Sequence, residues 1–274
     1  MTPTSFVTRA SLAADLAHLG LAPGDAIMVH AAVSKVGRLL DGPDTIIAAL
    51  SDAVGPDGTV LAYTDWEARY EDLADADGRV PAEWREHIPP FDPERSRAIR
   101  DNGALPEFLR TTPGALRSRN PGASVAALGA KAAWFTSDHP LDYGYGEASP
   151  LAKLVAAGGK VLMLGAPLDT LTLLHHAEHL ADIPGKRIRR IEVPFSSPTG
   201  AQWRTIEEFD TGDPIVEGLD EDYFAEIVTG FLASGQGRQG LVGTAPSVLI
   251  EAAAITSYGV NWLESRFGSS SPQA

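Results

Sequence analysis

Apolar residues gather along the chain in short compact runs, set off by glycine- and proline-bearing turns. Ala26-Ile27-Met28-Val29-His30, Thr59-Val60-Leu61-Ala62-Tyr63 and Lys160-Val161-Leu162-Met163-Leu164 have the length and flanks of buried strands. Thr8 to Leu19 has the spacing of an amphipathic helix and runs into the turn Ala22-Pro23-Gly24-Asp25. After the first strand come a loop, Ala31 to Asp41, and a helix over Thr45 to Val54 that Gly42-Pro43-Asp44 opens. Gly55-Pro56-Asp57-Gly58 then turns the chain into the second strand. Strand, helix, strand in so short a stretch predicts a βαβ unit and a parallel sheet.

From Trp66 to Arg100 the chain is polar, acidic and proline-rich, centred on Ile88-Pro89-Pro90-Phe91-Asp92-Pro93. Excursions of that length are uncommon in compact domains and usually functional or mobile. Ala104 to Arg110 reads as a helix and Ser124 to Leu128 as a strand. Gly158-Gly159 introduces the third buried strand, and Gly165 to Asp169 is the exit loop to a helix over Thr170 to Ala181. Arg187 to Val193 and Ala201 to Phe209 read as antiparallel strands joined through Ser196-Ser197-Pro198-Thr199-Gly200. Helices are expected over Tyr223 to Ala233 and Ala245 to Phe267, the second broken internally. With no internal repeat and no clean linker, residues 1–268 read as one α/β unit with an inserted acidic loop and a C-terminal antiparallel hairpin, and 269–274 as a flexible tail.

Composition narrows the chemistry. Hydrophobic residues at 44% and charged residues at 21% are ordinary for a globular protein and argue against disorder. The absence of cysteine removes disulfide scaffolds, thiol catalysis and cysteine zinc sites, and it fits a reducing cytoplasm. No apolar run reaches the ~18 residues that span a bilayer, and Met1-Thr2-Pro3-Thr4-Ser5 lacks the basic start of a signal peptide, so a cytoplasmic protein is expected. The 36 acidic against 22 basic side chains leave a net charge of -14. Such a field repels nucleic acid and anionic membranes and attracts cationic ligands, although acidity also serves solubility.

Ligands of open α/β sheets bind beyond the carboxyl ends of the strands. Three such ends here carry polar residues: His30, then Tyr63-Thr64-Asp65-Trp66, then Asp169 leading to His175. The densest cluster is Thr172-Leu173-Leu174-His175-His176-Ala177-Glu178-His179. On a helix His175, Glu178 and His179 share a face, while His176 points about 100° away. Two chemistries fit. One is general-base catalysis by an imidazole. The other is a zinc hydrolase, since His175-x-x-Glu178-His179 matches the H-x-x-E-H pattern, although its spacing supplies no third ligand.

Longer motifs distinguish them. Met28-Val29-His30-Ala31-Ala32-Val33-Ser34-Lys35-Val36-Gly37, then Gly42-Pro43, then Gly55-Pro56-Asp57-Gly58-Thr59 resemble the N-terminal third of the aminoglycoside 3-N-acetyltransferases. Pro90-Phe91-Asp92-Pro93, Arg117-Ser118-Arg119-Asn120-Pro121 and Gly146-Glu147-Ala148-Ser149-Pro150-Leu151-Ala152 continue the likeness in order. Leu164 to Glu178 is the most specific piece, and Asn261-Trp262-Leu263-Glu264-Ser265-Arg266-Phe267 closes it. Two positions depart from the pattern: Ala32 stands where the family usually has serine, and Asn120 where many members have histidine.

The resemblance implies an α/β/α sandwich around a largely parallel central sheet. It also implies transfer of an acetyl group from acetyl-CoA to the 3-amino group of 2-deoxystreptamine aminoglycosides, by direct attack, giving antibiotic resistance. Acetyl-CoA would lie along His30, Ala31, Ala32, Val33, Ser34, Lys35, Val36 and Gly37, with Arg117, Ser118 and Asn120 flanking the pantetheine arm. His175 holds the family's catalytic histidine position. Either Glu178 or Asp169 would orient it, and Thr172 is a candidate oxyanion donor, equally readable as a helix hydroxyl bonded to its own backbone. The acceptor would sit among Asp65, Trp66, Tyr70, Glu71, Glu208 and Asp210, whereas Asp72, Asp75 and Asp77 read as solvated surface. No metal, nucleic acid or membrane is implied, and the chain would act as a monomer or homodimer.

Overall fold

The computed structural model describes residues 6–268; the expected tail, 269–274, lies outside the described residues. The strands are β1 (Ala26–Ala31), β2 (Thr59–Tyr63), β3 (Leu116–Arg117), β4 (Val125–Gly129), β5 (Lys160–Leu164), β6 (Ile188–Ser197), β7 (Gly200–Phe209), β8 (Arg238–Val242) and β9 (Ala245–Glu251). Seven form one sheet in the order β3-β4-β2-β1-β5-β9-β8, and β6-β7 stand apart as a hairpin. The three runs read as buried strands form its parallel centre: β1 pairs with β2 on one side and β5 on the other. β4 and β9 run antiparallel to that centre, and the edge strands β3 and β8 pair antiparallel with them in turn.

The central strands are apolar through their middles because both faces are covered, with His30, Thr59 and Lys160 towards their ends. Their alternation assigns each residue to one of two cores. Met28, Leu61, Val161 and Met163 face one side. Ile27, Val29, Val60, Leu162 and Leu164 face the other. The second core lies under α1 (Arg9–Leu19), α2 (Gly42–Val54) and, past the four-residue helix α3 (Ala82–Arg85) of the insertion, α4 (Leu105–Thr111). The first is covered by α5 (Ala132–Thr136), α6 (Pro150–Ala156), α7 (Leu173–Leu180), α8 (Tyr223–Ala233) and α9 (Ala252–Phe267). The result is an α/β/α sandwich. Helix ends follow local chemistry: Thr8 and Ser11 close a capping box on α1, and Pro43 opens α2.

One expected helix begins as a strand. Ala245 to Glu251 forms β9, and only Ala252 onward is helical. Ala245, Ser247, Leu249 and Ile250 are buried against β5 and β8, so pairing with the sheet overrides the helical reading. The two-residue turn Gly243-Thr244, with Gly243 at φ +60°, makes β8-β9 a hairpin. Helix α6, which begins at Pro150 beside the capping Ser149, was not among the expected elements.

The insertion after β2 does not hang free. It packs on the β6-β7 hairpin, where Ile191, Val193 and Ile206 bury against Trp66, Leu141 and Phe195. The backbone N–H groups of Phe91 and Glu192 donate to Pro194 O (2.7 Å) and Gly78 O (2.9 Å). Glu192 also accepts from Val80 N and pairs with Arg85. Gly78 sits at φ +75°, and a Cβ there would stand 1.8 Å from Arg190 O, so only glycine permits this approach.

Candidate active site

Hairpin and insertion enclose a cavity of about 270 Å³ above the carboxyl end of β2. Asp65, Trp66, Glu67, Glu71 and Glu208 line it, with Tyr63, Tyr145, Asn120, Arg69 and Arg189. Trp66 packs at a tilt between Tyr70 and Phe91, with ring centroids at 5.4 and 5.6 Å. Tyr70 is buried behind it and does not reach the cavity. The carboxylates are not equivalent. Arg69 pairs with Glu67 at 2.7 Å and Arg189 with Glu71 at 3.0 Å. Asp65 accepts from Asn102 Nδ2 at 2.5 Å, and burial raises its pKa to about 7 against the opposing pull of Arg117 and that hydrogen bond. Burial likewise raises Glu71, partly offset by Arg189.

Glu208 is held from α7. His179 Nε2 and the Phe209 N–H both meet Glu208 Oε1 at 2.8 Å. Asp210 lies elsewhere: its Oδ1 accepts from Gly212 N (3.1 Å), and it lines a wider outer basin that also contains Glu71, Arg189, Asp75 and Asp77.

Helix α7 carries a second imidazole–carboxylate contact one turn earlier. His175 Nδ1 meets Glu178 Oε2 at 2.6 Å, and Glu178 is only 2% exposed. Its other oxygen accepts from the Tyr223 hydroxyl. Tyr145 and Phe224 flank the His175 ring, with centroids at 5.0 and 4.9 Å. His175 opens into a recess with Asp169, Glu221 and Thr211, and Thr211 also borders the main cavity. Asp169 shares that recess, but the acid bonded to the imidazole is Glu178. His176, on the other face, bonds Tyr145 O at 2.8 Å, and burial lowers its pKa. Thr172 is buried at the N-terminus of α7 and makes no side-chain capping bond. As for H-x-x-E-H, Glu178 is bonded to His175 and His179 to Glu208. Among the described residues no cluster of three metal-ligating side chains forms.

The loop after β1 makes a third recess of about 200 Å³, with His30, Ala31, Ala32, Asn102, Thr170 and Tyr63 in its wall. Tyr63 therefore borders both this recess and the main cavity. His30 Nε2 is buried without a partner, and burial lowers the ring's pKa to about 4. Val33 to Lys35 form a 3-10 turn that the rest of the fold pins. Lys35 Nζ donates to Gly165 O at 2.8 Å, and Thr244 Oγ1 donates to Lys35 O at 2.7 Å. Val36 is fully buried, and Gly37 at φ +114° lets the chain pass against Val7.

Arg117, Ser118 and Asn120 do not line that recess. Arg117 donates to Ser96 O (2.5 Å), Ser124 Oγ (2.9 Å) and Thr64 O. Ser118 bonds Val125 N and His139 Nδ1. Asn120 spans Pro140 O and Leu141 O with its amide N–H groups and accepts from Gly122 N and Ala123 N. These side chains brace the cavity wall, because buried polar groups left without partners are costly.

Sequence reasoning passed over Tyr145 and Tyr223 and gave Tyr63 no role. The Tyr63 and Tyr145 hydroxyls meet at 2.6 Å and share Gly122 O. Tyr63 stands at a strand end, a signal that was available; Tyr223 lies 45 residues from Glu178 and offered none.

An α/β/α sandwich with an imidazole–carboxylate pair beside a carboxylate-rich cavity is an enzyme fold equipped to move a proton near a cationic ligand. The chain belongs to the aminoglycoside 3-N-acetyltransferase family, whose sequence profile matches residues 28–264. It is 47% identical over 264 residues to aminoglycoside N(3)-acetyltransferase III of Pseudomonas aeruginosa, covering 96% of each chain. Among solved structures it is similar to AAC-IIIb in its binary complex with CoASH, at 84% identity and TM-score 0.96, covering 98% of this chain and 100% of that one. It is also similar to AAC-VIa bound to sisomicin, at 38% identity and TM-score 0.91, covering 97% and 100%. No described helix is long and apolar enough to cross a membrane.

Proposed function

We propose that this chain transfers an acetyl group from acetyl-CoA to the 3-amino group of a 2-deoxystreptamine aminoglycoside, with His175 as general base and Glu178 orienting it. The observation that carries this reading is the 2.6 Å contact between His175 Nδ1 and the buried Glu178, beside a cavity lined with carboxylates. An ammonium group has no lone pair and must lose a proton before or during attack. With Nδ1 engaged by Glu178, His175 Nε2 is the ring atom that takes it, and the carboxylate stabilises the imidazolium.

Acetyl-CoA, when bound, supplies the acetyl thioester that the amine attacks. The recess after β1 suits it: the unpartnered His30 Nε2 offers a polar atom, and Tyr63 connects that recess to the acceptor cavity. His30 is neutral at working pH because burial holds its pKa near 4. Arg117, Ser118 and Asn120 support the acceptor wall rather than the pantetheine arm. Thr172, at the start of α7, is the side-chain candidate for stabilising the developing oxyanion. Glu208 and Glu71 hold ammonium groups of the acceptor by charge-assisted hydrogen bonds, Asp65 joining them in its ionised form, with Trp66 against a sugar face. The net charge of -14 draws a polycation toward them.

Thiol release from acetyl-CoA, followed across a panel of 2-deoxystreptamine aminoglycosides, tests the reading. Acceptor-dependent release with acetylation at the 3-amino group is expected. Release with none of them would refute it.

A further inference from the structure

A buried carboxylate needs donors on both oxygens, and those of Glu178 come from different helices: His175, within α7, and Tyr223, the first residue of α8. We propose that Tyr223 is a positioning residue for the base: by donating its hydroxyl to Glu178 Oε1 it fixes Oε2 on His175 Nδ1 and so selects the tautomer with Nε2 free. This rests on the acetyl-transfer reading.

The hydroxyl oxygen also takes a backbone hydrogen bond from Ile215, which leaves its single proton for Glu178. Tyr223 is 7% exposed, and its ring packs edge-on against Phe224 at 4.7 Å, which in turn packs on His175. Burial, then the charge of Glu178, raises the phenol's pKa far above its ordinary value, so the group is a neutral O–H donor throughout the working range. Lys186 and Arg187, entering β6, are the cations whose charges act on this cluster, on Glu178 and on Tyr223 respectively. Lys186 Nζ is itself directed to His179 O at 3.2 Å. Neither forms a hydrogen bond with Glu178, so removing the phenol oxygen strands Oε1. The carboxylate can then rotate, and the imidazole loses its fixed tautomer. Hydrogen-bond partners that orient metal-ligating histidines are worth about 10- to 100-fold in activity, and the same logic sets the scale here.

The experiment is Tyr223→Phe, which deletes one oxygen, read by steady-state kinetics and by NMR of the His175 ring nitrogens, assigned against His175→Gln. Expected is a fall in kcat of about 10- to 100-fold with either KM changed by less than about 2-fold, and a ring spectrum that shifts from the Nδ1–H tautomer toward a mixture. In a Glu178→Gln background the same substitution should cost little further, because the two act on one path. An unchanged ring spectrum and kcat, or a full additional loss in the Glu178→Gln background, overturns the proposal. Should Tyr223→Phe fold poorly, 3-fluorotyrosine at position 223 strengthens the donor without removing it, and an unaltered His175 spectrum then overturns it equally. The ring spectrum needs no turnover, so failure of the acetyl-transfer reading would show separately, as wild-type protein that releases no thiol.

Discussion

Two acids at the end of the hairpin, Glu208 and Asp210, are separated by one residue, yet the structure gives them different work. Glu208 lines the main cavity, with Oε1 pinned by His179 and the Phe209 N–H, so its charge is presented at fixed geometry and only partly to solvent. Asp210 caps the turn at Gly212 in an open basin. Replacing Glu208 by Gln keeps the acceptor for Phe209 N and removes the charge an acceptor ammonium would meet. A charge-assisted hydrogen bond is worth roughly 1.5–3 kcal/mol, which converts to an aminoglycoside KM raised about 10- to 150-fold. Acetyl-CoA KM should hold, because Glu208 is not in the recess after β1. Asp210→Asn removes a half-buried charge that lies outside the main cavity and should change the acceptor KM by no more than about 2-fold, the range of a substitution away from the site. Steady-state kinetics with each substrate varied at saturating partner, at two ionic strengths, reads both. Equal losses in the two variants, or a larger loss in Asp210→Asn, would mean that the acceptor lies in the outer basin and that the cavity has been assigned to the wrong ligand.

His175→Ala should lower kcat by ~10²–10⁴-fold with little change in acetyl-CoA KM, whereas His176→Ala should cost mainly stability, read by thermal melting, because His176 braces Tyr145 O. The reverse order of kcat losses would place the base one residue along. Asp65 bears on pH: burial lifts it from 3.8 to about 7, so between those values the folded chain keeps a proton that the unfolded chain has released. Stability therefore falls as pH rises across that window, and Asp65→Asn, which keeps the acceptor for Asn102, should gain Tm over wild type progressively from about pH 4 to about pH 8. A Tm difference that is flat with pH would contradict the titration.

What could be read in the chain follows the range of the interaction involved. β1, β2 and β5 were legible because each is an uninterrupted apolar run bounded by turn residues, and burial on both faces demands just that pattern. β9 was not, since Ala245-Pro246-Ser247-Val248-Leu249-Ile250 runs straight into a helical stretch and only its partners β5 and β8 make it a strand. Within the site, His175 and Glu178 lie three residues apart on one helix, so their contact is local and helical geometry foretells it. Resemblance supplied which histidine to favour. The partners across the fold were invisible: Glu71 with Arg189, His179 with Glu208 and Glu178 with Tyr223 each join residues far apart in sequence. Arg117 and Asn120 have partners that the sequence does not announce either: both side chains bond backbone carbonyls, and Asn120 also lines the main cavity.

The two imidazole–carboxylate contacts are not independent features. His175 and His179 are four residues apart on α7, so the proposed base and the histidine that fixes Glu208 stack along one face of the helix. The helix is held in turn by Leu173, Leu174 and Ala177 in the core, and Gly259 of α9 lets it sit close: a Cβ there would stand 2.9 Å from Leu174 and 3.1 Å from Ala177. Any rotation of α7 would misplace base and acceptor carboxylate together. The hairpin and the insertion have fewer buried contacts than the sheet and supply the rest of the cavity wall, so changes in them would reshape the cavity while the His175–Glu178 geometry stays with the core. A helix fixed by the core thus carries both histidine–carboxylate contacts, and it faces a wall built on the less deeply buried hairpin and insertion.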